Sequence, residues 1–411
     1  MSNTESANVR TKPRLGLVEF VALMATMTSL VALSIDAMLP ALEQIGASLN
    51  VSDPHQPHLI VTLFFLGMAI GQPFFGPYAD SKGRRAALLL GLCIFVVGTV
   101  ICMLATNIET MLVGRVVQAF GVSGPRIAAM AIIRDLYVGD AMAKVMSFIM
   151  MVFILVPMIA PIVGQAVMLM FSWFHIFTLF LIVALMSAIW FFSRQEETLP
   201  KEKRKPFSFP VLMASCKFIL THISVMGYSF SMAAIFGAFL AYLSASQTIF
   251  QGFYGVGDLF PIIFATLAFS IGLASYFNGK MVMKFGMHKL CSVAIKGVMA
   301  FAIFFLVLLF ANDGLPNLWV TVCTLFVGFF FIGILFGNLN ALAMQPLGEM
   351  AGVGAAIIGS LSSLFSVPIA LFIDSFLKDD LYPIGIGFVV FFAIAGVLMH
   401  FAEKDSLASE H

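Results

Sequence analysis

Apolar residues gather into twelve runs, each close to the roughly 20 residues a helix needs to cross a bilayer. They lie near 15–40, 59–79, 86–106, 110–133, 145–170 and 174–193, then near 214–243, 252–277, 290–311, 317–343, 353–377 and 384–402. The longest polar interruption, with Arg194, Glu196, Glu197, Lys201, Glu202, Lys203, Arg204 and Lys205, divides the runs six and six. This pattern predicts an all-α integral membrane protein of twelve helices. Its amino-terminal half covers 1–193, a linker covers 194–213, and a second half covers 214–411.

Composition agrees, because 61% of the 411 residues are hydrophobic and only 10% are charged, against roughly a quarter charged in a soluble domain. Too few polar residues remain to cover a soluble surface, so lipid must be the solvent. Lys and Arg beside membrane spans stay on the cytoplasmic side. Placing Arg10, Lys12 and Arg14 inside also puts Lys82, Arg84, Arg85, Lys201, Lys203, Arg204 and Lys205 inside, and leaves only Lys378 outside. Both termini are therefore expected to be cytoplasmic. The first apolar run is too long for the core of a signal peptide, so the amino terminus is expected to be retained.

Several function classes fall away. The net charge is +1 with no basic stripe interleaved with aromatics, so no nucleic-acid partner is expected. The five cysteines have neither zinc nor redox spacing. Met281 follows Gly279 and Lys280 where a phosphate-cradling loop would continue, and no soluble segment is large enough for a nucleotide. An enzyme or ATP-driven pump is thus not expected, nor any cofactor. His55 and His58, with Asp53 nearby, lie in a short loop containing Pro54 and Pro57, and no metal site is expected there.

Charges inside lipid are costly and usually face a protein cavity. The candidates are Asp36, Arg115, Arg126, Asp258, Lys296 and Asp374. Asp36 sits near the outer end of the first run among apolar neighbours, which suits a carboxylate that exchanges a proton near neutral pH; an interfacial cap or a pair with Arg115 is the alternative. Arg115 and Arg126 share one helix face about 16 Å apart, which suits either a polar cavity wall or the neutralisation by each of a carboxylate on a neighbouring helix. Asp258, Lys296 and Asp374 lie near span ends and read as interfacial.

The loop after the second run, Gly76-Pro77-Tyr78-Ala79-Asp80-Ser81-Lys82-Gly83-Arg84-Arg85, is the most specific signal. Its glycines allow a sharp turn, its aspartate can face a helix amino terminus, and its arginines can clamp a carboxylate. It resembles the hallmark loop of the major facilitator superfamily. More narrowly, the chain resembles the Bcr/CflA drug:proton antiporters, through Ser34-Ile35-Asp36, Leu39-Pro40-Ala41-Leu42, Arg134-Asp135-Leu136-Tyr137, Met146-Ser147-Phe148, Ala160-Pro161-Ile162-Val163-Gly164, Glu197-Thr198-Leu199-Pro200 and Met350-Ala351-Gly352.

The resemblance implies a gating latch of Gly76, Asp80, Gly83, Arg84, Arg85 and Asp135, with Asp80 facing the start of the eleventh span and Arg84 pairing Asp135. Proton coupling would fall to Asp36 and to Arg115 in Arg115-Val116-Val117-Gln118, while Arg126 matches no pattern of the family. The fifth-span antiporter motif would be carried by Pro157, Pro161 and Gly164, bending the helix and permitting contact with the other half. Val156, Ala160 and Gln165 stand where that motif usually has glycine. Gly279-Lys280 through Gly286 to Lys289 retains a weak trace of the latch and supports an internal duplication.

These readings lead to a proton-coupled exporter of small hydrophobic or amphipathic molecules in a bacterial inner membrane. Its expected partners are the substrate, protons and membrane lipid, and it is expected to work as a monomer. A dedicated exporter of one metabolite or siderophore, with Arg115 and Arg126 binding its carboxylates, is the alternative.

Overall fold

In the computed structural model the described residues are 15–53, 55–137, 139–204, 213 and 217–409, so the tail basic residues Arg10, Lys12 and Arg14, together with Lys205, lie outside them. The first half comprises α1 (Leu17–Asp36), α2 (Leu59–Lys82), α3 (Arg84–Met103), α4 (Ile108–Leu136), α5 (Gly139–Met170) and α6 (Phe174–Arg194). The second comprises α7 (Ile223–Gln247), α8 (Phe260–Phe285), α9 (Met287–Ala311), α10 (Leu318–Met344), α11 (Ala351–Asp374) and α12 (Tyr382–Ser409). Among the described residues eleven helical segments are long and apolar enough to cross a membrane, and α5 adds the apolar stretch Leu155–Met170.

Helix α4 is the hub of the first half and packs on α2 and α3. Close approach there depends on small residues, since a Cβ on Gly98 of α3 would lie 2.2 Å from the Gln118 amide nitrogen. In the second half α7 packs on α11 and α12, and α10 on α8 and α9. The halves meet mainly through α2 against α11 and α5 against α8. Large apolar side chains such as Val18, Leu104, Leu185, Phe304, Phe310 and Phe401 point outward, an arrangement that lipid solvates and water does not.

Several boundaries differ from the sequence reading, each with a local cause. Helix α1 ends at Asp36, short of 40, because Pro40 lacks an amide hydrogen; the chain continues through a tight turn (Leu39–Ala41) into a short helix (Leu42–Ser48). The seventh run is interrupted by extended His222, so α7 begins at Ile223. Helix α8 begins at Phe260 because Gly255 and Gly257, both at positive φ, break the run that would have started at 252.

The proposed duplication has a backbone counterpart. Gly83 between α2 and α3 adopts φ 101°, ψ 161°, and Gly286 between α8 and α9 adopts φ 79°, ψ 158°. Each closes one helix by donating its N–H four residues back, to Ala79 at 3.1 Å and to Val282 at 2.9 Å. Such backbone is accessible essentially to glycine alone.

Candidate functional site

Three clusters occupy defined levels of the bundle: a buried polar network, the latch at one end, and a seam between the halves at the opposite, far end.

The network is centred on Arg115, which is fully buried in α4. Its Nε donates to the Ile60 carbonyl of α2 at 3.0 Å, its Nη2 to the Ser34 carbonyl of α1 at 3.0 Å, and its Nη1 to Gln118 Oε1 at 2.6 Å. Gln118 Nε2 then donates to Thr99 Oγ1 of α3 at 2.8 Å. The guanidinium also lies over the Phe64 ring, 4.3 Å from its centroid. Neutral acceptors thus hold a cation that would otherwise be prohibitively costly inside the bundle.

The expected wall of two arginines divides, because Arg115 and Gln118 are enclosed within the first half while Arg126 remains half-buried. Asp36 is buried at the last position of α1, two residues beyond the Ser34 carbonyl held by Arg115. Among the described residues neither Asp36 nor Arg126 has a side-chain hydrogen bond or ion pair. The Asp36–Arg115 pair weighed from sequence is therefore not formed.

Helix α5 fixes the other side of this site. A Cβ on Gly164 would lie 2.1 Å from the Ala37 carbonyl oxygen, so α5 touches the chain immediately after Asp36. Gly164 itself thus packs within the first half, while α5, the helix that carries it, meets the second half at α8. Pro157 and Pro161 lie inside the continuous helix α5. Contact across the halves at this level comes instead from Gln165, whose Nε2 donates to Asp258 Oδ1 at 2.9 Å.

At the latch, Arg84 Nη1 bonds Asp80 Oδ1 at 2.5 Å and Nε bonds Asp135 Oδ2 at 2.9 Å. Asp80, near the end of α2, is thus engaged by Arg84, the first residue of α3, across the turn at Gly83. Gly76 faces α11, where its missing Cβ would meet Ala356 at 3.9 Å. Among the described residues Arg85 clamps no carboxylate; its Nη2 donates to the Phe192 carbonyl at 3.0 Å and its guanidinium stacks on the Phe192 ring.

The linker takes part in this cluster, which sequence reasoning missed. Glu197 accepts from the Arg84 and Arg85 amides at 2.9 and 3.1 Å and so caps α3. Thr198 donates to Asp135 Oδ2 at 2.8 Å. Over these residues the linker therefore packs against the latch as well as connecting the halves.

At the far end, Gln247 of α7 donates to the Pro40 carbonyl at 3.0 Å and accepts from the Glu43 amide at 3.2 Å. Gln247 and Gln251, with Pro40, Glu43, Gln44 and Gln165, border a cavity of about 410 Å³ between the halves. Asp374, read as interfacial, is buried there and accepts from or donates to His58 Nδ1 at 2.6 Å. Asp53 instead caps the His55 amide at 2.9 Å.

Between these levels the halves meet through aromatics. Phe65 of α2 contacts Phe236 of α7 edge-on at 5.1 Å, and Phe236 and Phe239 both pack on Phe336 of α10.

Residues 20–370 match the Major Facilitator Superfamily. A bicyclomycin resistance protein homolog of Haemophilus influenzae is 31% identical over 360 residues, covering 83% of this chain and 85% of the relative. Multidrug resistance protein MdtL of Vibrio parahaemolyticus is 25% identical over 331 residues, covering 79% and 81%. The partially occluded, inward-open xylose transporter XylE of E. coli superposes with a TM-score of 0.71 at 14% identity, over 94% of this chain and 97% of that one. Eleven apolar spans among the described residues and bacterial relatives of this kind indicate a multi-pass inner-membrane transporter, not an enzyme.

Proposed function

The chain belongs to the major facilitator superfamily and to its Bcr/CflA-type branch, and from that premise we propose that it exports small hydrophobic or amphipathic molecules, drugs among them, in exchange for protons. The concentration of Lys and Arg at the latch end supports a cytoplasmic position for it. Substrate would lie against the aromatic contact of Phe65, Phe236, Phe239 and Phe336, where ring faces and edges accept varied apolar shapes at little directional cost.

The observation that carries the coupling is Asp36: buried, without a side-chain partner among the described residues, and set between Arg115's grip on Ser34 and the α5 contact at Ala37. A carboxyl placed there can bind or release a proton at Oδ without first breaking an ion pair. Its charge would then bias how α1 and α5 sit, and with them the two halves as they rock about the site. Arg115 acts as a positioning residue.

A dedicated exporter of one polyanion would need Arg115 and Arg126 reachable together, and the enclosure of Arg115 weighs against it. Substrate-induced proton release from the purified protein tests the proposal. Release by several unrelated drugs, lost in Asp36→Asn, is expected. Release by a single polyanion, or full release in the variant, would overturn it.

A further inference from the structure

We propose that the far end carries a binding site for a zinc-type divalent cation, formed jointly by His55 and His58 of the first half and Asp374 of the second. The three side chains offer nitrogen and carboxylate atoms that all lie within 4.8 Å of one another. His58 Nδ1 is 2.6 Å from Asp374 Oδ1, and His55 Nδ1 is 3.8 Å from Asp374 Oδ2. Two ligand atoms about 2.1 Å from a tetrahedral zinc are separated by about 3.4 Å. The observed separations bracket that value, so seating the ion requires only side-chain adjustment.

The chemistry of each ligand fits. His58 Nε2 is 2.9 Å from Thr248 Oγ1. With its proton on Nε2 and given to Thr248, the ring turns the Nδ1 lone pair toward Asp374, the outer-shell arrangement by which proteins orient metal-binding histidines. His55 Nδ1 is buried and has no hydrogen-bond partner among the described residues, yet the side chain is 29% exposed. The same position therefore presents an unused ligand atom and a route for the ion and for water as a further ligand.

The consequence follows from where the ligands are rooted. His55 precedes and His58 ends the turn Gln56–His58 that opens α2, whereas Asp374 ends α11. An ion held by all three joins the halves at the far end and resists their separation. Binding stands apart from the transport reading; the inhibition rests on it.

Zinc titration of the purified full-length protein against a chromogenic chelator, with Mg²⁺ as the hard-cation control, tests the site. Wild type is expected to take up a single equivalent of Zn²⁺ and no Mg²⁺ there. His55→Ala, whose ring makes no hydrogen bond through Nδ1, is expected to bind at least about tenfold more weakly, and Thr248→Val about tenfold more weakly. His175→Ala, at an exposed histidine elsewhere, is expected to match wild type. Equal zinc affinity in wild type and His55→Ala overturns the site. In proteoliposomes, zinc is expected to slow wild-type drug transport reversibly, with EDTA restoring it, and to spare His55→Ala. Zinc that binds at this site without slowing an active transporter overturns the bridge. Absence of drug transport with or without zinc counts against the export reading, and the titration still decides the site.

Discussion

Gly164 of α5 abuts the carbonyl of Ala37 so closely that a Cβ there would come within 2.1 Å of the oxygen. The contact joins α5 to the residue following Asp36. Gly164→Ala must therefore move α5 away from α1. It is expected to destabilise the protein by about 1–3 kcal/mol, as overpacking does, and to cut transport well beyond that loss. Thermal unfolding in detergent beside drug efflux reads both. Gly279→Ala, which meets nothing within 4 Å, provides the matched control.

The Arg115 network predicts that Gln118 matters without touching substrate. Gln118→Ala deprives Arg115 Nη1 of its acceptor and Thr99 of its donor, and is expected to cost about 1–3 kcal/mol for the buried group left unpaired. Thermal unfolding should show the loss while drug affinity changes little. A large loss of affinity with normal stability would place Gln118 in the substrate path instead.

Phe236 anchors the aromatic contact between the halves. Phe236→Ala is expected to weaken binding of several unrelated apolar substrates by about tenfold or more, given about 1.5–3 kcal/mol for burying such a side chain. Competition binding with dyes of different shape checks this; loss for one compound alone would contradict a shared apolar surface.

At the latch, among the described residues, Arg84 binds two carboxylates and Arg85 none. Arg84→Ala is accordingly expected to impair transport far more than Arg85→Ala at equal membrane abundance. Glu197→Ala, which uncaps α3, is expected to lower stability by about 0.5–2 kcal/mol. Equal transport by the two arginine variants would show that the ion pairs do not govern gating.

Much of this was legible in sequence where the signal is local. The twelve apolar runs announced the helices, and Asp80, Gly83 and Arg84 announced the latch turn within ten residues of chain. Asp36 stood out because a carboxylate among apolar residues has few bland explanations. What escaped were pairings between distant segments: Glu197 on α3, Gln165 with Asp258, and His58 with Asp374, separated by 316 positions. Spacing carries no information about such partners. Arg115 illustrates a subtler limit, since its charge suggested a cavity wall, whereas backbone carbonyls that no sequence displays keep it enclosed.

The paired turns at Gly83 and Gly286 act as a built-in subtraction. Their backbones match, but a Cβ on Gly83 would meet Glu197 Oε2 at 2.5 Å, whereas one on Gly286 would meet nothing within 4 Å. Alanine at Gly286 therefore reports the strain of the turn alone, and alanine at Gly83 reports that strain together with eviction of the linker carboxylate. The difference between the two isolates what the linker contributes at the turn of the first half, with the matching turn of the second half as its blank.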